Sequence, residues 1–195
     1  MPISITELCF EASDERLLLT ENTQPAILTV SVALHRILEA RGLVPNWVAG
    51  HSLGEYSALV AAGALDVATA ARLVHNRGIY MQQAVPEGAG AMAAVLGLER
   101  VEIETLCARC GSDLIVEVAN VNAPGQVVVS GNTGAVHQLI SMSKEAGARR
   151  AILLNVSAPF HCSLMQPAAE RLARDLVEVE FEDPRFPVVC NVTAT

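Results

Sequence analysis

One pentapeptide limits the possible folds of this chain more than any other feature. Residues 50–54 read Gly-His-Ser-Leu-Gly, follow the short apolar run at 47–49, and precede a helical pattern. A G-x-S-x-G sequence between a strand and a helix is typical of the nucleophile elbow, in which both glycines are expected to relieve collisions. The pattern predicts an α/β architecture with Ser52 as nucleophile and the N–H of Leu53 as oxyanion donor. The alternative is a serine that only caps a helix.

A long helix is expected ahead of the pentapeptide. It would open at Gln24-Pro25, with proline in the first helical position, and end at Gly42. Its apolar residues recur at helical spacing, so one face is expected to pack in the core. That face consists of Ala26, Ile27, Val30, Ala33, Leu34, Ile37 and Leu38.

Residues 87–157 are expected to form a module inserted into the main α/β unit. Strand-like and helical stretches follow one another there in the order β-α-β-β-α-β over about 70 residues, which is the split βαβ or ferredoxin-like pattern. The main unit would then consist of residues 1–86 and 158–195. Its last apolar stretch, at 187–192, predicts a final strand.

Composition and charge exclude several classes of protein. The 195 residues are 51% hydrophobic and 17% charged, which excludes intrinsic disorder. The net charge of −8 argues against nucleic acid as a partner. The apolar stretch at 58–65 is far shorter than the ~20 residues of a membrane span, so no membrane association is expected.

The cysteine pattern predicts a reducing compartment. Five cysteines at scattered spacings do not make a disulfide framework, and the acidic N-terminus does not read as a signal peptide. Cys107 and Cys110 form a lone C-x-x-C inside a predicted helix and are interpreted as two ordinary thiols, without a metal. The cytoplasm is therefore the expected location.

A serine nucleophile requires a general base, and the chain has five histidines. His51 is discounted because the side chains of neighbouring residues diverge. His161 follows Ala-Pro-Phe where the chain re-enters the main unit, an edge of the sheet at which sites assemble. From position alone, a catalytic and a structural role of His161 are equally well supported. The remaining histidines are interpreted as surface or core residues: His35, His75 and His137.

Arg77 lies at the edge of the apolar face of a helix that Asp66 is expected to cap, through about Ala84. A guanidinium held against a core has to be paired. The residues alone leave two roles open for Arg77. It forms either an internal salt bridge or a bidentate site for the carboxylate of a substrate.

Several stretches occur in a fixed order: TQPA at 23–26, VAGHSLGEYSAL at 48–59, MQQAVP at 81–86 with GAM at 90–92, NAPGQ at 122–126, and PFH at 159–161. Together they resemble the malonyl-CoA:acyl carrier protein transacylases of fatty-acid synthesis and the related acyltransferase domains of polyketide synthases. The resemblance implies an α/β-hydrolase-like core with a ferredoxin-like insert. It implies malonyl-CoA and an acyl carrier protein as partners and no cofactor held by the chain.

The resemblance also assigns roles to individual residues. Ser52 would take the malonyl group as an ester, and His161 would deprotonate Ser52 and then the phosphopantetheine thiol of the carrier protein. Arg77 would pair with the free malonyl carboxylate. Phe160 matches the position where malonyl-selective members carry phenylalanine, and His51 is a further candidate for substrate binding.

The sequence departs from the family pattern at both ends. A G-Q-G-S-Q motif that supplies a second oxyanion donor is expected upstream, and a segment that orients the histidine is expected downstream. The isolated chain is therefore expected to be weak or inactive unless these pieces are supplied. The carrier protein is acidic, and the candidate basic patches for docking are Arg149-Arg150 and Arg171 with Arg174.

Two other functions remain open from the sequence. A serine esterase would use the same elbow with an acid between serine and histidine, such as Asp113 or Glu117, although both lie in the inserted module. A shortened relative without catalytic activity would only bind the carrier protein or would fold poorly.

Overall fold

The computed structural model describes residues 4–111 and 113–195 and has a mixed α/β fold. The helices are α1 (Ile5–Phe10), α2 (Asp14–Leu18), α3 (Thr20–Ala40), α4 (Gly54–Ala62), α5 (Val67–Ala84), α6 (Arg100–Ala108), α7 (Thr133–Glu145) and α8 (Gln166–Val177). The strands are β1 (Val48–Ala49), β2 (Gly90–Leu96), β3 (Val116–Ala123), β4 (Gln126–Asn132), β5 (Arg150–Leu153) and β6 (Val188–Val189). A short 3-10 helix at Ser163–Met165 precedes α8. Over the described ranges, no helix combines the length and the apolar character that a membrane span needs.

The chain divides into two compact units. One consists of Met1–Ile79, described from residue 4 onward, together with Arg171–Thr195. The other consists of Tyr80–Glu170.

In the first unit, strands β1 and β6 pair in parallel, with Val48 opposite Val188 and Ala49 opposite Val189. This pairing places the residues after β6 beside the pentapeptide, which directly follows β1. Buried residues of α3 and α5, together with Leu53 and Leu65 on either side of α4, form the core of this unit: Leu28, Val32, Leu53, Leu65, Ala70, Leu73 and Val74.

The turns around α4 and α5 follow the prediction. Gly63 ends α4 with a φ of 78°, a conformation that glycine adopts without the strain a Cβ would add. The Oδ1 atom of Asp66 accepts hydrogen bonds from the N–H groups of Ala68 at 2.9 Å and Thr69 at 3.0 Å. Asp66 therefore caps α5, as expected.

Helix α3 starts earlier than predicted. It begins at Thr20, so Pro25 lies inside the helix and not in its first position. Because proline has no N–H, it cannot bond to the carbonyl oxygen of Glu21 one turn earlier. The Nδ1 atom of His75 lies 3.2 Å from that oxygen and gives it a partner. A histidine interpreted as structural thus explains how the proline is tolerated.

The predicted buried face of α3 is mostly wrong. Five of its seven residues have exposed fractions of 46–56%: Ile27, Val30, Leu34, Ile37 and Leu38. Ala26 is buried, but the main core contacts come from Leu28 and Val32, which pack with residues of α5. Periodicity identified an apolar stripe, whereas the packing against the neighbouring helices decides which side of α3 is covered.

The second unit contains the predicted β-α-β-β-α-β order of elements, β2 to β5 with α6 and α7. Its four strands lie in the order β3-β4-β2-β5, and all neighbours are antiparallel. Glu99 and Glu102 form a capping box at the start of α6. The sheet packs its apolar face on both helices, around residues such as Val95, Ile103, Val129 and Leu139.

Candidate active site

The pentapeptide forms a sharp turn between β1 and α4. Ser52 has a φ of 54°, a left-handed conformation that is uncommon for a residue with a side chain. A Cβ atom on Gly50 would overlap the carbonyl group of Gly54, whereas a Cβ on Gly54 would meet nothing within 4 Å. The expectation that the turn needs both glycines is therefore correct for Gly50 and wrong for Gly54.

The N–H of Leu53 lies at the start of α4. Three turn hydrogen bonds, with lengths of 2.9–3.2 Å, take up the N–H groups of Gly54, Glu55 and Tyr56, and none of them uses the N–H of Leu53. The side chain of Leu53 is buried in the core of the first unit, which fixes the backbone at this point. This arrangement fits a backbone donor beside the nucleophile.

Arg77, on α5, reaches the candidate nucleophile Ser52. Its Nη2 atom donates to Oγ of Ser52 at 3.1 Å, and its Nη1 atom donates to Oε1 of Gln24 at 2.5 Å. Gln24 is buried on α3, and its Nε2 atom donates to Oγ1 of Thr20 at 2.8 Å. The amide orientation of Gln24 is thus fixed, and the guanidinium is held between two neutral acceptors.

The charge of Arg77 is not neutralised by a carboxylate in the described parts of the chain. The ion pairs of the described residues include Arg16–Glu7, His35–Glu39, Arg100–Glu104 and Arg185–Glu39, and none of these four involves Arg77. Burial lowers the pKa of Arg77, and the nearby Tyr56 opposes this effect. A guanidinium is not deprotonated in proteins, so the group stays charged at neutral pH. The internal salt bridge considered from the sequence is therefore not what pairs Arg77.

The close approach of α3 to α5 depends on Gly78. A Cβ atom there would lie 2.5 Å from Cα of Glu21 and 2.7 Å from the carbonyl oxygen of Thr20. Gly78 directly follows Arg77. Because the backbone of α3 approaches α5 this closely at Gly78, Gln24 on α3 comes within reach of the guanidinium of Arg77.

Asn191, which follows β6, bonds to the elbow on both sides of His51. Its Oδ1 atom accepts from the N–H of Ser52 at 2.8 Å, and its Nδ2 atom donates to the carbonyl of Gly50 at 2.6 Å. The N–H of Asn191 donates to Oε2 of Glu55 at 3.1 Å. The side chain of His51 itself is exposed.

Phe160 and His161 belong to the second unit. His161 is exposed and has a φ of 60°, and Phe160 packs beside the cluster of Met81, Met165 and Ala168. The residues after His161 are anchored by Glu117, whose carboxylate accepts from the N–H of Ser163 at 2.7 Å and from its Oγ at 2.8 Å.

The predicted site residues therefore fall in two groups. Ser52, Leu53 and Arg77 come together in the first unit, with His51 beside them in sequence, and Phe160 and His161 are neighbours in the second. Sequence reasoning did not single out Gln24 or Asn191. Gln24 lies in the quoted TQPA stretch, and Asn191 is a polar residue at the end of a predicted strand.

The thiol pair interpreted as ordinary cysteines has no feature of a reactive site. Burial is the main cause that raises the pKa of Cys107 to about 12, and burial also raises the pKa of Cys110. Among the described residues, no group of three or more His, Cys, Asp or Glu is placed to hold a metal ion.

Comparison with known proteins gives consistent matches. The family model "Acyl transferase domain" matches residues 1–195. The "Malonyl CoA-acyl carrier protein transacylase" of Escherichia coli (strain K12) is 51% identical over 179 residues, which are 91% of this chain and 58% of that protein.

Solved structures agree with this match. The malonyl CoA-acyl carrier protein transacylase of Coxiella burnetii superposes with a TM-score of 0.95 at 46% identity, over 97% of this chain and 60% of that one. A type II PKS acyl-carrier protein in complex with its malonyl-transacylase contains a chain with a TM-score of 0.96 and 47% identity, over 100% of this chain and 63% of that one. The chain thus spans about three fifths of the length of these proteins.

Proposed function

Because the chain belongs to the acyl transferase domain family, we propose that it transfers a malonyl group from coenzyme A to the phosphopantetheine thiol of an acyl carrier protein. The observation that carries this proposal is the hydrogen bond from Arg77 to Oγ of Ser52 at 3.1 Å. A fixed cation beside a nucleophilic hydroxyl suits an acyl group with a free carboxylate. The relatives are named for this reaction, and one is titled as a complex with its acyl carrier protein.

In the first half of the reaction, Oγ of Ser52 attacks the thioester carbonyl of malonyl-CoA. The resemblance assigns the proton acceptor to His161, which then gives this proton to the departing thiolate of coenzyme A. The backbone N–H of Leu53 donates to the oxyanion of the tetrahedral intermediate. The product is a malonyl ester of Ser52 with the free thiol of coenzyme A.

In the second half, His161 removes the proton of the phosphopantetheine thiol, and the thiolate attacks the ester. Collapse of the tetrahedral intermediate transfers the malonyl group and returns the proton to Ser52. Because the acyl group is stored on the enzyme between the two halves, ping-pong kinetics are expected. No cofactor bound by the chain takes part, since phosphopantetheine belongs to the carrier protein.

Selectivity for malonyl would rest on Arg77. The carboxylate of the malonyl group would take the place of Ser52 Oγ as an acceptor of the guanidinium when the hydroxyl becomes an ester. An acetyl group offers no such acceptor and would leave a half-buried cation unpaired. Phe160 and His51 are proposed as further substrate contacts.

We also propose that the chain has an α/β-hydrolase-like core with a ferredoxin-like insert. The strand order β3-β4-β2-β5 supports a ferredoxin-like insert, and the parallel pair of β1 with β6 before a serine turn supports an α/β-hydrolase-like core. We place the core at residues 1–86 and 158–195 and the insert at 87–157. An acidic carrier protein would dock on a basic patch, for which Arg149-Arg150 and Arg171 with Arg174 are the candidates. Arg149, Arg150 and Arg174 are exposed, whereas Arg171 is half-buried.

Stoichiometric acylation tests the proposal. The chain, extended by the upstream and downstream segments that the family pattern leads us to expect, is mixed with malonyl-CoA, and its intact mass and peptide map are recorded. We expect one malonyl group, located on Ser52, and none in the Ser52→Ala variant. Ser141→Ala, which removes an exposed hydroxyl on α7, serves as the control and should be acylated like the parent chain. A chain that gains no malonyl group, or a Ser52→Ala variant that still gains one, contradicts the proposal.

A further inference from the structure

We propose that Asn191 is a positioning residue for the nucleophile. Its side-chain amide bridges the two peptide groups that flank His51 and thereby holds Ser52 in its reactive conformation. This inference rests on the proposed role of Ser52 as nucleophile. The side chain of Asn191 accepts a hydrogen bond from the N–H of Ser52 and donates one to the carbonyl of Gly50. We call these two hydrogen bonds the Asn191 bridge.

Both the oxygen and the nitrogen of the Asn191 side-chain amide form hydrogen bonds with the elbow. The Oδ1 atom accepts from Ser52 at 2.8 Å, and the Nδ2 atom donates to Gly50 at 2.6 Å. Asn191 lies 139 positions from Ser52 in sequence, so the contact is tertiary and not part of a local turn. Of the twenty side chains, only asparagine and glutamine carry a donor and an acceptor on one planar amide.

The bridge has an anchor of its own at the main chain. The N–H of Asn191 donates to the carboxylate of Glu55 at 3.1 Å, and Glu55 belongs to the first turn of α4. The parallel pairing of Val189 with Ala49 brings the end of β6 to the end of β1. Two independent connections thus set where the amide stands relative to the turn.

The bridge acts on a backbone conformation that a serine does not adopt readily. The φ of Ser52 is 54°, and its value depends on the plane of the peptide group between His51 and Ser52. The Oδ1 atom of Asn191 holds the N–H of that peptide group, and its Nδ2 atom holds the preceding carbonyl. Without the bridge the peptide could rotate toward a less strained φ, which would move Oγ of Ser52 and turn the N–H of Leu53.

A positioning role and a simple anchoring role of the C-terminal segment predict different results. Anchoring alone would lower the stability of the chain and leave the chemistry of the folded fraction unchanged. Positioning lowers the rate of the chemical step in folded protein and leaves substrate binding unchanged, because the guanidinium of Arg77 that would bind the carboxylate is held by Gln24 on α3. A split between kcat and KM therefore separates the two.

The experiment compares the parent chain with Asn191→Ala and Asn191→Asp. Aspartate keeps an acceptor for the N–H of Ser52 but cannot donate to the carbonyl of Gly50, so it retains half of the bridge. Asn46→Ala removes an exposed asparagine of the same unit and is the control. Two readouts are taken: the hydrogen-exchange rate of the Ser52 amide by NMR, and the single-turnover rate of Ser52 acylation as a function of malonyl-CoA concentration.

For Asn191→Ala we expect faster exchange at Ser52 and a maximal acylation rate lower by on the order of 10²-fold, with an unchanged half-saturating concentration. Asn191→Asp should keep the slow exchange at Ser52 and lose less rate than the alanine variant. Unchanged exchange at Ser52 in Asn191→Ala, an unchanged acylation rate, or a change in half-saturation alone would overturn the inference.

The two readouts distinguish this inference from the proposed function. If the parent chain, extended by the upstream and downstream segments of the family, is not acylated by malonyl-CoA, the proposed function fails, and the exchange rate of the Ser52 amide still decides whether the bridge holds the elbow. If acylation occurs and Asn191→Ala matches the parent chain in both readouts, the inference fails and the proposed function stands.

Discussion

The guanidinium of Arg77 donates a hydrogen bond from Nη2 to Oγ of Ser52 over 3.1 Å, although the two residues are 25 positions apart and lie on different elements. The second nitrogen is held by the buried amide of Gln24 at 2.5 Å. The guanidinium plane is therefore fixed by neutral acceptors, and its charge is available to a carboxylate that enters beside the serine.

Replacing Arg77 with alanine is expected to remove the preference for malonyl over acetyl. A charge-assisted hydrogen bond contributes roughly 1.5–3 kcal/mol, so the ratio of the two acylation rates should fall by about 10- to 100-fold. Arg77→Lys should restore little of the preference for malonyl, because a single ammonium group cannot reproduce the two hydrogen bonds of the guanidinium to Gln24 and Ser52. Single-turnover rates with malonyl-CoA and acetyl-CoA measure the ratio. Arg72→Ala, an exposed arginine of the same helix, is the control, and an unchanged ratio for Arg77→Ala would refute the carboxylate role.

The two glycines of the pentapeptide should respond differently to alanine. Gly50→Ala places a methyl group on the carbonyl of Gly54, so the elbow has to shift and the variant should be destabilised by about 1–3 kcal/mol or fail to fold. Gly54→Ala has open space at the start of α4, and removing a glycine from a helix stabilises by roughly 0.5–1 kcal/mol. Urea denaturation followed by circular dichroism measures both. Equal losses of stability in the two variants would contradict the steric difference between positions 50 and 54.

The cap of α5 gives the stability a defined pH dependence. Hydrogen bonds from the hydroxyl and N–H of Thr69 lower the pKa of Asp66. A lowered pKa in the folded chain means that the charged cap stabilises above the unfolded value of about 4 and that this contribution is lost as the pH falls through the folded pKa. Asp66→Ala should therefore be less stable than the parent chain at pH 7, and the difference should shrink near pH 3.

Asp66→Asn is the matched control because asparagine keeps an acceptor for the N–H groups at the start of α5 and does not titrate. The free energy of unfolding of Asp66→Asn relative to Asp66→Ala should be independent of pH. A stability gap between the parent chain and Asp66→Ala that is as large at pH 3 as at pH 7 would contradict the role of the carboxylate.

The cysteines should differ in reactivity. Burial raises the pKa of Cys107 to about 12, so at pH 8 only about one molecule in 10⁴ carries the thiolate that reacts with alkylating reagents. Cys190 is exposed and should be modified first by iodoacetamide. Peptide mapping at successive times gives the order, and unfolding in urea should make the two sites react alike. Early modification of Cys107 in folded protein would be inconsistent with its burial.

Local structure was predictable wherever the signal is carried by neighbouring residues. The cap at Asp66, the left-handed Gly63, and the order of strands and helices from β2 to β5 follow from side chains that act on their own backbone. Such interactions do not depend on the rest of the fold, so sequence alone specifies them.

The buried face of helix α3 was harder to predict from the sequence. Helix α3 carries two apolar stripes, and the one formed by Ile27, Val30 and Leu34 was predicted to be buried although about half of each of these residues is exposed. The buried positions Leu28 and Val32 are selected by the surfaces of α4 and α5, and these surfaces exist only after folding. Periodicity cannot rank two faces without that information.

The residues alone were enough to predict a serine between a strand and a helix, the helix that carries Arg77, and a family resemblance that the comparisons with known proteins confirm. Three contacts became visible only in the folded chain: Arg77 donates to Ser52, the buried Gln24 holds Arg77 there, and Asn191 bridges the elbow from a distant part of the sequence. The reason is the range of the interactions: a turn or a cap is fixed by residues a few positions apart, whereas these three contacts join positions 25 to 139 apart and form only when the helices and strands pack together.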